Sequence, residues 1–103
     1  MATREPGRLL RAAPARDAWG ASRMGRFLAA VEERHGISFA DYEDAWAWSV
    51  AHPDDFWREV WREFDVRSED PPGEVLGSRA MPGAEWFPGV RLSYADHVYR
   101  ALA

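Results

Sequence analysis

Asp54 and Asp55 stand side by side just after His52, a grouping of side chains able to move a proton or hold a cation. A carboxylate pair can divide general-acid and general-base work, and an adjacent histidine could begin a metal site. Both chemistries need partners that the sequence does not supply. Pro53 suits the first position of a helix, where aspartates complement the positive end of the dipole, so the pair reads as helix-start charge. His35, His52 and His97 each lack a second histidine at helical spacing. No serine occupies a G-x-S-x-G elbow, and no glycine-rich loop ends in lysine. All 13 basic residues are arginine, so there is no amine for a Schiff base, a phosphate loop or an adenylation step. With no cysteine, disulfides and thiolate chemistry are excluded. The sequence therefore predicts no catalytic, cofactor-binding or metal-ligating residue, and no activity from this chain alone.

What the residues do predict is a set of helices carrying aromatic side chains. At 103 residues with six tryptophans, the chain has material for one modest core at most, with a few large rings supplying much of the burial. Residues 1 to 16, with Arg4, Arg8, Arg11 and Arg16 against Glu5 and breaks at Pro6, Gly7 and Pro14, read as a disordered basic tail. The domain proper is expected over 17 to 103. From about Asp17 to His35 the chain reads as helix, with Met24, Phe27, Leu28 and Val31 in one apolar stripe and Gly36 closing it. Gly20 and Gly25 are expected to weaken its first turns. Ser38 with Asp41 approximates a capping box for a second helix bearing Tyr42, Ala45, Trp46 and Ser49 on one side and Trp48 on another.

A third helix is expected over 53 to 65 after a tight turn at His52. Phe56, Trp57, Val60, Trp61 and Phe64 form its wide aromatic stripe, with Arg58, Glu59, Arg62 and Glu63 opposite. Acidic residues outnumber basic ones overall, 17 to 13, and no basic groove accompanies the rings, so nucleic-acid stacking is disfavoured. Residues 68 to 79 form a Pro/Gly-punctuated connector in which Val75 and Leu76 could make a short extended contact. Pro82-Gly83 and Pro88-Gly89 then suit two type II turns, holding Glu85, Trp86 and Phe87 between them as an extended aromatic wedge. Ser93, with Asp96 three residues on, caps a last helix to about Leu102 whose Ala95, Val98, Tyr99 and Leu102 share a stripe. The fold class is thus mainly α: a small domain of about four helices with an irregular Pro/Gly-rich segment between the third and the last. No apolar run reaches the roughly 18 residues of a membrane span, and no secretion signal is evident, which fits a cytoplasmic protein.

The wording from Met81 to Arg100, MPGAEWFPGVRLSYADHVYR, together with Asp41-Tyr42, Trp48-Ser49-Val50, Phe56-Trp57 and Trp61 at their spacing, resembles the N-terminal domain of acetyl-CoA and acetoacetyl-CoA synthetases. These are ATP-dependent, adenylate-forming acid:CoA ligases, and the resemblance is closest to the acetoacetyl-CoA type. It covers roughly residues 15 to 103. The family wording after the wedge is close to L-N-Y-A-E-N, whereas this chain has Leu92, Ser93, Tyr94, Ala95, Asp96 and His97. Serine caps as well as asparagine does; His97 is a departure.

The resemblance implies a non-catalytic entry domain that packs against an adenylation domain, covalently in the family and through separate chains if the gene is split. ATP, Mg2+ and CoA are implied for the complete enzyme and none of them for this chain. Trp48, Phe56, Trp57, Trp61, Trp86, Phe87, Gly89 and Tyr94 are the residues it marks as domain-interface positions. The other expectation compatible with these residues is a free-standing helical module that binds or regulates an acyl-CoA ligase. Nucleic acid and membrane are not expected partners.

Overall fold

The computed structural model describes residues 6–12 and 14–102, so the tail expectation on residues 1–5 and 13 lies outside the described residues. The chain divides into two compact units, Met1–Ala40 and Asp41–Ala103. The architecture is mainly α, as expected from the sequence.

In the first unit the helix expected from Asp17 is two elements. A 3-10 helix, Arg16–Ala21, is followed at Ser22 by extended backbone, and α1 spans Arg23–His35. The break follows from capping chemistry: the Ser22 hydroxyl accepts the Gly25 N–H at 2.9 Å, satisfying a donor that has no partner within the helix. Gly25 is not the weak point that propensity suggests. It is buried, and a Cβ there would stand 1.8 Å from the Trp19 carbonyl oxygen, so only glycine lets the 3-10 helix lie across α1. Phe27, Leu28 and Val31 are buried together with Phe39, whereas Met24, expected in the same stripe, is 56% exposed. Gly36 ends α1 in the left-handed region at φ 63°, as its place in the sequence predicts, and both its N–H and that of Ile37 reach the Glu32 carbonyl.

Arg16, assigned to the tail on sequence, organises this unit. Its guanidinium meets Glu32 Oε1 at 2.7 Å, donates through Nε to the Phe39 carbonyl at 3.2 Å, and lies 4.1 Å from the Trp19 ring centroid. The second Glu32 oxygen accepts the Phe39 N–H at 2.9 Å. One arginine–glutamate pair thus fastens the segment after α1 to its face, with the fork geometry that lysine lacks.

In the second unit α2 spans Tyr42–Ala51, and its cap is Asp41, whose Oδ1 accepts the Asp44 N–H at 2.9 Å. The cap is three residues later than Ser38 because Asp41 itself takes the extended conformation that places a side-chain acceptor over the first turn. A single residue, His52, links α2 to α3, Pro53–Glu63, with Pro53 at the start of the helix. The helix stops two residues short of the expected 65, with Phe64 as its cap and Asp65 at φ 46°.

Glu59 departs furthest from expectation. Placed on the solvent side by the helical pattern, it is the most enclosed charged residue of the unit at 1% exposure, paired through Oε1 with Arg62 Nη1 at 3.1 Å. Phe64, by contrast, is 64% exposed despite its place in the aromatic stripe.

The connector after α3 leads to β1, Leu76–Ser78, which pairs antiparallel with β2, Glu85–Trp86, in a register of Leu76 with Trp86 and Ser78 with Glu85. The wedge is therefore one edge of a two-stranded ladder, whose strand partner is the extended contact anticipated near Val75-Leu76. Val75 is 2% exposed and its carbonyl accepts the Phe87 N–H at 2.7 Å. Pro88-Gly89 forms the expected turn: Val90 N–H returns to the Phe87 carbonyl at 3.1 Å, with Gly89 at φ 78°. Pro82-Gly83 differs, being a bend entered through a cis Met81–Pro82 peptide bond, with Gly83 at φ 102°. α4, Tyr94–Leu102, opens on Ser93, whose hydroxyl faces the Asp96 N–H at 3.4 Å.

Candidate functional site

Five aromatic residues of the second unit, Phe56, Trp57, Trp61, Trp86 and Phe87, meet at α3. Trp57 and Trp61 stand one turn apart, and residues on a helix at i and i+4 share a face. Trp57 meets Trp86 edge-to-face at 5.9 Å between ring centroids and meets Phe56 in the same manner at 5.3 Å. Trp61 lies against Phe87 at 4.7 Å with planes tilted by 34°. Offset and edge-on contacts of this kind add about 0.5–1.5 kcal/mol each beyond area burial. β2 and the residue after it are thereby joined to α3 by two ring pairs, and the Gly89 turn follows in sequence.

Of the eight positions marked on sequence as interface, the structure brings together Phe56, Trp57, Trp61, Trp86 and Phe87, with Gly89 shaping the turn. Trp48 is half-buried on α2 with its ring 6.0 Å from that of His52. Tyr94 is the first residue of α4 and 83% exposed. Trp57 and Trp86 keep 42% and 46% of their surface in water, so the cluster presents an open aromatic edge as well as internal contacts.

The acids beside His52 are drawn apart. Asp55 approaches His52 Nδ1 at 4.0 Å while Asp54 faces Arg79 at 3.8 Å, all four side chains being about half exposed. Among the described residues no three His, Asp or Glu side chains converge as ligands of a metal ion would. A cleft of about 250 Å³ lies between the connector and the start of α4, lined by Arg67, Ser68, Glu69, Arg91, Leu92, Ser93 and Asp96. Its charges are balanced, two arginines against two acids, and Arg91 Nε already faces Glu69 Oε2 at 3.9 Å.

His97 is polar glue within the unit. Its Nε2 accepts the Arg67 N–H at 3.0 Å, and its Nδ1, 2.7 Å from the Ser93 carbonyl, is placed to donate to it. Arg100, one turn on, donates to the carbonyls of Phe64, at 3.2 Å, and Asp65. The sequence reading missed Glu59, Arg16 and the roles of His97 and Arg100. For Glu59 the available signal was its place one turn from Phe56, on the flank of the aromatic stripe.

The acetyl-coenzyme A synthetase N-terminus family model matches residues 42–98, almost the whole of this second unit and more than half of the chain. The chain belongs to that family. Among curated relatives, acetoacetyl-coenzyme A synthetase of Rhizobium meliloti is 34% identical over 87 residues, covering 84% of this chain and 13% of the relative. Malonamoyl-CoA synthetase vrtB of Penicillium aethiopicum is 33% identical over 79 residues, 75% of this chain and 11% of the relative. The solved structure of acetoacetyl-CoA synthetase from Streptomyces lividans is similar with a TM-score of 0.73 at 45% identity, over 82% of this chain and 13% of that one.

This family member thus spans only about an eighth of the length of the relatives it matches. The Rhizobium match is longer than everything from Tyr42 onward, so similarity reaches back into the α1 unit, beyond the limits of the family model. No helix of the described residues is long and apolar enough to cross a membrane.

Proposed function

We propose that this chain is the non-catalytic N-terminal portion of an acetoacetyl-CoA or acetyl-CoA synthetase-like ligase, and that its role is to pack against an adenylation domain. The observation that carries this reading is the family match to the N-terminus of such enzymes, over most of this chain and only 11–13% of theirs. The chemistry of the residues agrees with it. No lysine is present, and among the described residues no grouping of side chains can activate a carboxylic acid. ATP, Mg2+ and CoA belong to the complete enzyme, which would form an acyl-adenylate and pass the acyl group to CoA. The residues of this chain do not fit them, and no step of that reaction runs through its side chains. Acetoacetate is the favoured acid, since the solved structure at 45% identity is an acetoacetyl-CoA synthetase. A cytoplasmic location goes with this reading.

The test is a graft. The full chain replaces the matching segment of the Streptomyces lividans enzyme, and acetoacetate-dependent pyrophosphate release is compared with that of the enzyme lacking the segment. Restored release by the graft, with none from the chain alone, is the expected result. Release by the chain alone, or a graft no better than the truncated enzyme, overturns the reading.

A further inference from the structure

α4 is an amphipathic helix mounted with its polar side inward. At 100° per residue His97 and Arg100 lie on one side, and Tyr94, Val98 and Leu102 with Ala95 and Tyr99 lie on the opposite one. The polar side holds the helix to its unit: His97 takes the Arg67 N–H, and Arg100 reaches the Phe64 and Asp65 carbonyls and, at 3.5 Å, Asp65 Oδ2. The apolar side is in water, with Val98 40%, Tyr99 70%, Leu102 76% and Tyr94 83% exposed, and no residue of α4 is buried. A nine-residue helix is not stable in water by itself. Contiguous apolar surface of this kind marks an interaction site.

We propose that the Tyr94, Val98, Tyr99 and Leu102 face of α4 is the seat on which the body of the ligase docks, the polypeptide that follows the N-terminal portion in the relatives. The inference rests on the proposed function above and names the surface by which it is carried out. Two observations select this occupant. The family match ends at Val98, in the middle of α4, so the helix straddles the boundary between the N-terminal portion and the remaining seven-eighths or so of the relatives' length. In a relative built this way, the rest of the polypeptide would leave from the end of the exposed stripe. α2 also exposes Tyr42, Trp46 and Val50, but it buries Ala45 and half-buries Trp48 and Ser49, so it already packs within the described structure. Among the described residues, none on the apolar face of α4 is buried.

The experiment uses the same Streptomyces lividans graft, carrying either Val98→Glu with Leu102→Glu on α4 or Trp46→Glu with Val50→Glu on α2. Charge placed in a buried apolar seat is strongly unfavourable, so the α4 pair is expected to lower acetoacetate-dependent release by about tenfold or more and the α2 pair to leave it unchanged. The same α4 pair in the chain alone is expected to leave the unfolding midpoint unmoved, which separates loss of docking from loss of folding. An α4 pair without effect in the graft, or a loss produced by the α2 pair instead, overturns the assignment. So does a dimer of the chain alone that the α4 pair dissociates while the graft is untouched, since the occupant would then be a second copy. If the unsubstituted graft restores nothing, the N-terminal-domain reading has failed and the seat fails with it.

Discussion

Glu59 and Arg62 stand one turn apart on α3 with Oε1 and Nη1 at 3.1 Å, yet the carboxylate side chain is 1% exposed and the guanidinium side chain 49%. The charge is carried to the water by its partner. A carboxylate enclosed in this way stabilises only while the arginine and the surrounding donors face it, and removing one member of such a pair costs more than the pair contributes. Glu59→Ala, which also leaves a cavity, is expected to cost about 2–4 kcal/mol. Arg62→Ala should cost less, because water can approach from the exposed side, and a double-mutant cycle should give a coupling of about 1 kcal/mol. Urea unfolding of the four proteins measures all three quantities; additive losses would show that the pair does not interact.

Gly25 and Gly20 offer a matched comparison. A Cβ at Gly20 meets nothing within 4 Å, whereas one at Gly25 meets the Trp19 backbone at 1.8 Å. Gly20→Ala is expected to be neutral or stabilising by about 0.5 kcal/mol through the unfolded chain. Gly25→Ala should lose about 1–3 kcal/mol by forcing the 3-10 helix off α1. Amide exchange of Phe27, Leu28 and Val31 reports the difference directly, with protection lost in the second variant and kept in the first.

The start of α2 is tested by two alanines. Asp41→Ala removes the acceptor of the Asp44 N–H and is expected to cost about 1 kcal/mol. Ser38→Ala, at the position a capping-box reading prefers, is expected to change the thermal midpoint by less than the measurement error. The reverse order would restore Ser38 as the cap.

Phe87→Ala removes the ring that lies against Trp61, and a loss of about 2 kcal/mol is expected for a half-buried phenylalanine. Trp61→Ala should behave alike, and the double variant should lose less than the sum. Trp46→Ala, at an exposed position of α2, serves as the control, with a shift within about 0.5 kcal/mol.

The parts of the fold legible in the sequence were those set by local chemistry. Gly36, Pro53, the Pro88-Gly89 turn and Ser93 each act through their own backbone or a neighbour within three residues, and each stands where the sequence places it. Misplaced features depended on contacts distant in sequence or on competing local options. Asp41 outcompetes Ser38 because the extended backbone falls at Asp41 itself, which no spacing rule distinguishes. Arg16 pairs with a glutamate sixteen residues away and a carbonyl twenty-three away, so a tail and an anchor look alike in composition. Glu59 reads as solvated because helical periodicity assigns a direction to a side chain without saying what stands there. The candidate aromatic site was visible as residue types; that Trp57 pairs with Trp86 and Trp61 with Phe87 was not, since partner choice requires the strand register.

Phe87 holds a left-handed backbone, φ 47°, at the end of β2. Along an ordinary strand, neighbouring side chains point to opposite faces. Here Trp86 and Phe87 are consecutive and both reach the same helix, one turn apart on it, through Trp57 and Trp61. The reversal at Phe87 cancels the alternation, so the last residue of β2 and the residue after it grip α3 at two points like a thumb and forefinger. The spacing of the grip is the pitch of the helix, and shifting the ladder by one residue would release both fingers at once.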